Sequence, residues 1–228
     1  MAGRMGAQIV NASVRFAVLA TVFELSLGVL GVILGWLTGP WPWETLVMQE
    51  RSRLAAGTLV GVVAALVLFA GIVTLDRKPI GILEELQQTV RRYVVPMFRG
   101  VPLWSLLLIS VAAGVGEEFL FRGYCQAAVS KWMGPPWGVW WALAISSLLF
   151  GLCHWISTAY VVMATAMGLL LGGLFLATGN LAAPMVAHAL YDFLALLYLT
   201  RHAEVPSRGG GETDVGRPAS GLPEEGES

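Results

Sequence analysis

Charge is what this chain has least of. Asp, Glu, Lys and Arg make up 13% of its 228 residues, against roughly 25% in an ordinary soluble domain. That deficit excludes a disordered chain, a fibrous one and a nucleic-acid binder with a broad basic face. The net charge of −1 leaves no long-range field for a polyanionic partner. Cysteine is also scarce. Cys125 and Cys153 are too few for a disulfide framework, and both fall in apolar stretches. What is present instead is apolar: 56% of the residues are hydrophobic, and the mean hydropathy is +0.70. The apolar runs are too long for a soluble core, so the sequence predicts an all-α, polytopic membrane protein.

A bilayer-crossing helix needs ~20 mostly apolar residues. Six segments qualify: 16–37, 54–75, 101–133, 137–155, 159–178 and 181–200. The first is longer than the apolar core of a cleavable signal and carries Glu24, so it reads as a retained helix. The stretch Thr38–Trp43 is a turn with interfacial tryptophans, and Gly134-Pro135-Pro136 ends the third run. Between the second and third runs, Asp76–Gly100 repeats apolar residues at three- and four-residue steps (Leu83, Leu86, Val90, Tyr93, Val94, Met97). That pattern predicts an amphipathic helix lying on the membrane surface; a helix packed on the protein's own loops is the alternative. Gly57/Gly61 and Gly168/Gly172 form two GxxxG pairs suited to close helix packing. The expected organisation is two membrane helices and the surface helix over 1–100, a polar-studded membrane core over 101–200, and a disordered tail over 201–228. Lys and Arg crowd the second loop and the tail, which predicts an integral cell (inner) membrane protein with both termini cytoplasmic.

Against this apolar background the ionisable residues stand out. An unpaired charge at the bilayer centre costs roughly 2.5–3.5 kcal/mol on insertion scales. The third run nonetheless holds Glu117, Glu118 and Arg122. Glu118 and Arg122 lie four apart on one helical face and can pair, as a structural lock or as part of a site. Glu117 is turned ~100° away and can face a different cavity. His154 closes the fourth run, and His188 and Asp192 lie four apart in the sixth. Titratable groups on three apolar helices predict one shared aqueous site. His188 lies roughly 10 Å into its helix while His154 is near the opposite surface. A shared site therefore needs the fourth helix to run past Trp155, or a tilted or broken helix lining a cavity.

Glu117-Glu118-Phe-Leu-Phe-Arg122 resembles the EExxxR motif of the CPBP family of intramembrane endopeptidases, which includes CaaX prenyl proteases of the Rce1 type. Phe150-Gly-Leu-Cys-His154 resembles its FxxxH motif, and His188-Ala-Leu-Tyr-Asp192 its HxxxN motif. The resemblance covers about residues 100–200. It implies Glu117 as general base for a water, His154 as holder or activator of that water, Glu118 and Arg122 as tuning groups, and His188 with Asp192 at the oxyanion. Phe121, Phe150 and Tyr124 are the implied pocket walls. Asp192 stands where the family more often has Asn. An ionised Asp cannot donate to an oxyanion, so Asp192 is either protonated through burial or, as expected, orients His188 by accepting its ring proton. The implied substrate is a membrane protein or lipidated peptide held at the bilayer.

Glu117, His154 and His188 also make up a zinc ligand set of the His2Glu type. There is no HExxH pair, and a metal-free glutamate mechanism, with no cofactor, is the expectation; a divalent metal such as Zn stays open. Three further readings compete: a cysteine protease or transpeptidase of the exosortase type using Cys125 or Cys153, a proton-coupled carrier, and a non-catalytic scaffold or immunity protein that binds peptide in the same cavity.

Overall fold

In the computed structural model, which describes residues 2–40, 51–77 and 81–202, every regular element is a helix. Helix α1 spans Ala2–Thr38 and α2 spans Arg51–Arg77. Helix α3 begins at Ile82–Thr89, passes through wide π-type turns at Val90–Val94 and ends at Val95–Phe98. Helix α4 runs over Leu103–Met133; it is α-helical to Glu118, π-helical over Phe119–Gln126 and α-helical again from Ala127. Then come α5 (Gly138–Cys153), α6 (Thr158–Thr178) and α7 (Ala182–His202). Five of these, α1, α2, α4, α6 and α7, are long and apolar enough to cross a membrane.

Helix α4 is the axis of the bundle. Within its most apolar window 61% of residues are buried, against 11% for α2. Helices α1 and α7 pack along its first half, while α5 packs along its second; α2 lies outside on α7, and α6 pairs with α5. The outward faces are apolar. Leu19, Leu59, Val67 and Trp155 are each at least 65% exposed, as expected of side chains whose solvent is lipid rather than water. Gly57 and Gly61 face the start of α7, where a Cβ would meet Asn180 and the Ala183 carbonyl. The first GxxxG pair therefore does what small residues do at helix crossings.

Two open alternatives are decided. The fourth run does not continue past Trp155. Helix α5 has 16 residues, ~24 Å of rise, which is short of the ~30 Å hydrocarbon core. It stops at Cys153, and the chain reverses before Ser157, whose hydroxyl caps α6 by accepting from the Tyr160 N–H. His154 thus sits at the end of a short helix, the broken-helix alternative. The amphipathic helix starts at Ile82, beside the Leu83 at which its apolar pattern begins, and Asp76 and Arg77 complete α2. Its apolar side faces the protein: Leu83, Leu86, Val90 and Val94 line an internal cavity. Val95 N–H bonds the Val90 carbonyl across the π turn, and the extra residue turns Val95 inward while Tyr93 and Met97 are exposed. The tail beyond His202, and the tryptophans at 41 and 43, lie outside the described residues.

Candidate active site

Glu118 and Arg122 are both completely buried. An isolated buried charge is costly, and here hydrogen bonds to other elements offset part of that cost, while Glu118 Oε2 and Arg122 Nε receive no protein partner. Arg122 Nη1 donates to Glu118 Oε1 at 2.8 Å, and Nη2 donates to the Gly168 carbonyl of α6 at 3.0 Å. One turn on, Gln126 Nε2 donates to the Gly172 carbonyl at 3.3 Å. The second GxxxG pair therefore does more than pack. A Cβ on Gly172 would meet Gln126 and Leu143, and one on Gly168 would meet Ser147 of α5; the two α6 carbonyls take bonds from Arg122 and Gln126, one turn apart on α4, on a spare lone pair. The guanidinium carbon also lies 4.6 Å from the Phe150 ring centre, a favourable cation–π placement.

Glu118 Oε1 is shared: it lies 2.8 Å from His188 Nδ1 on α7. A carboxylate accepts, so Nδ1 carries a proton. The other ring nitrogen, Nε2, faces Asp192 Oδ2 at 3.4 Å and Glu117 Oε2 at 4.0 Å. Both of those are acceptors as well, so the ring protonated on both nitrogens satisfies every contact it makes. His154 is held differently. Its Nδ1 is 2.8 Å from the Phe150 carbonyl one turn back. A carbonyl only accepts, so Nδ1 donates, and in the neutral ring Nε2 is an acceptor. That Nε2 points at Glu117 Oε1 from 3.7 Å, too far for a direct hydrogen bond. The two imidazoles thus address different oxygens of Glu117.

Two glycines explain how three helices converge here. A Cβ on Gly114 would collide with Met185 and Ala189 of α7, and one on Gly116 would overlap the Glu24 carbonyl of α1. Gly114 therefore admits the helix that carries His188, and Gly116 admits the helix that carries Glu24. The Glu24 carboxyl comes within hydrogen-bond reach of Glu117. Glu24 was legible only as an interruption of an apolar run. The signal that could have found it is the insertion cost of that single acid.

Glu24, Glu117, His154, His188 and Asp192 share the wall of one cavity of about 290 Å³. The cavity extends away from them between α2, α3, α6 and α7, past Leu86, Met163, Met167 and Leu199. Asp76 also lines it, and accepts from Gln87 Nε2 (2.7 Å), Arg91 Nη2 (3.0 Å) and the Tyr198 hydroxyl (3.2 Å). Of the expected pocket walls, only Phe150 lines this cavity. Phe121 stands behind it, edge-on at 5.2 Å between ring centres. Tyr124 points toward α1, where its hydroxyl meets Thr38 Oγ1 at 3.3 Å. The wide turns of Phe119–Gln126 rotate both rings away from the direction that a regular α-helix would give them. Neither cysteine lines the cavity. Among the described residues, no three His, Cys, Asp or Glu side chains stand in a grouping able to hold a metal ion. Glu117, His154 and His188 are nonetheless the residues that would hold an ion: both Nε2 atoms turn to Glu117, and Glu118 on His188 Nδ1 is the kind of partner that steadies a ligating imidazole.

Residues 99–194 match the family model described as Type II CAAX prenyl endopeptidase Rce1-like. That segment contains all three motifs. Over 100 residues the chain is 32% identical to the uncharacterized protein YpbD of Bacillus subtilis (strain 168). The match takes in 41% of this chain and 44% of YpbD, so the chain spans less than half of that relative's length. No solved structure matches the chain. The resemblance to the Rce1-type proteases holds over α4–α7, and α1 and α2 lie outside it.

Proposed function

We propose that this protein is an intramembrane endopeptidase that hydrolyses a peptide bond in a membrane-tethered or lipidated protein, with Glu117 as the general base. The observation that carries this reading is the placement of His154 Nε2 and His188 Nε2 against separate Glu117 oxygens, 3.7 and 4.0 Å away, at the wall of a mostly apolar cavity. Glu117 Oε1 and His154 Nε2 are both acceptors, so a water between them can donate one hydrogen to each and turn its lone pair toward a carbonyl. As the water oxygen bonds to the carbonyl carbon, its proton passes to Glu117 and the carbonyl electron pair moves onto oxygen. His188 Nε2–H donates to that oxyanion. The Glu117 proton then passes to the amide nitrogen as the C–N bond breaks, leaving a carboxylic acid and an amine. Glu118 and Asp192 hold the His188 ring, and Arg122 holds Glu118.

The apolar length of the cavity suits an extended peptide end that is itself hydrophobic, presented from the bilayer. The site uses no cofactor in this reading, and the protein resides in the cell inner membrane with both termini cytoplasmic. The test is cleavage of a fluorescence-quenched peptide bearing an S-farnesyl cysteine, alongside the same peptide without lipid, by detergent-purified protein. Cleavage that Glu117→Gln abolishes, and that the double Cys125→Ser/Cys153→Ser variant keeps, supports the reading. Cleavage that survives Glu117→Gln overturns it.

A further inference from the structure

Glu24 is unexplained by the mechanism so far. It lies in α1, outside the segment that resembles the protease family, midway along an apolar span of 26 residues. An acid there is expensive unless something in the protein holds it. The structure gives it one neighbour of consequence: its carboxyl is in hydrogen-bond reach of Glu117, and both line the same cavity. The approach is built into the backbone. Gly116 precedes Glu117 directly, and a Cβ there would occupy the place of the Glu24 carbonyl; one turn later on α1, a Cβ on Gly28 would lie 3.2 Å from the Gly116 Cα.

The hydrogen-bond inventory of the pair is incomplete in a specific way. Glu24 Oε2 and Glu117 Oε2 are both buried, and neither receives a donor from any group in the protein. Two ionised carboxylates are acceptors only, and in contact they repel. A single proton between them converts one into a donor, satisfies both and removes the repulsion. The surrounding charge allows it: the nearby cation Arg122 is committed to Glu118, and His188 to Glu118 and Asp192.

We propose that Glu24 is a positioning residue for the reaction: a protonated acid on the first helix that donates a hydrogen bond to Glu117 and fixes which Glu117 oxygen faces the water. This deepens the peptidase reading above and rests on it. Glu24 keeps its proton through the cycle. The water's proton goes to the other Glu117 oxygen and from there to the leaving amine, so the balance of the reaction is unchanged. The consequence is that the two N-terminal helices are part of the enzyme, through one hydrogen bond, although the motifs lie entirely in the later helices.

The experiment compares Glu24→Gln with Glu24→Leu on the quenched lipidated peptide. Gln keeps an N–H donor toward Glu117, and Leu removes it. Leu is expected to lower kcat about 100-fold with KM within about twofold, as for a misplaced catalytic group. Gln is expected to recover about a tenth or more of the parent kcat. Equal kcat in Glu24→Leu and parent, or equal loss in Leu and Gln, overturns the proposal. A second readout needs no turnover and so separates this proposal from the peptidase reading: infrared spectra of the purified protein. The C=O band of a protonated carboxylic acid should be present in the parent and lost or shifted in both Glu24→Gln and Glu117→Gln. A parent that lacks cleavage but shows this band retires the peptidase reading and keeps the carboxyl pair. A band unchanged in Glu24→Gln sinks the pair.

Discussion

Among the described residues there are two acid–arginine pairs, and they are built to opposite ends. Glu118–Arg122 sits on one helix, sealed at zero exposure, with Arg122 Nη2 bonded to α6 and His188 on the same Glu118 oxygen that Arg122 holds. Asp76–Arg91 joins α2 to α3 with side chains 13% and 26% exposed, and its other partners, Gln87 and Tyr198, come from α3 and α7. Asp76 and Arg91 line the cavity themselves, whereas Glu118 and Arg122 lie behind its wall and reach it through His188. The sealed pair fixes the His188 ring beside Glu117, while the half-open pair fastens α3 to α2 at the cavity wall. The difference teaches that burial, not the ion pair itself, sets the role. A buried pair cannot lose one member without stranding the other, whereas a wet one exchanges its partner for solvent at little cost.

The comparison can be broken in four graded ways. Glu117→Gln should lower cleavage about 1,000-fold or more while leaving the unfolding temperature near that of the parent, because it removes the base and not a lock. Arg122→Met leaves Glu118 buried without its cation; it should cost about 3–5 kcal/mol, read by thermal unfolding in detergent, and abolish activity through the His188 ring. His154→Gln keeps a polar group at the turn but loses the ring acceptor, and should lower kcat about 100-fold with folding intact. Asp76→Asn should cost no more than about 1 kcal/mol, show mainly in KM, and resemble the effect of raising salt, which weakens the partly exposed pair and leaves the sealed one untouched. If Asp76→Asn proves as damaging as Arg122→Met, the distinction between lock and fastener fails.

Much of this was legible in the sequence because ionisable residues are so few in it. The all-helical membrane-type fold followed from the apolar runs, and the pairing of Glu118 with Arg122 from their spacing. What stayed hidden depends on contacts between distant segments. The wide turns at Phe119–Gln126 arise where α4 is enclosed on all sides, and no periodicity announces them, so Phe121 and Tyr124 were assigned to the wrong wall. The inward turn of α3 depends on Asp76, which only the folded chain brings to Arg91. Gly114 and Gly116 were in plain view, but their meaning needs the helices that press against them. Glu24 was visible as a charge and became a partner only once α1 was seen to touch α4.

The central claim is that Glu117 turns a water, and no side chain, into the nucleophile. It is tested most directly by cleaving the lipidated peptide in heavy-oxygen water and weighing both product and protein by mass spectrometry. The account predicts one heavy oxygen in the new carboxyl terminus, no covalent adduct on the chain at any time, and no labelled product from Glu117→Gln. An acyl adduct trapped on Cys125 or Cys153, or labelled product formed by Glu117→Gln, would contradict it.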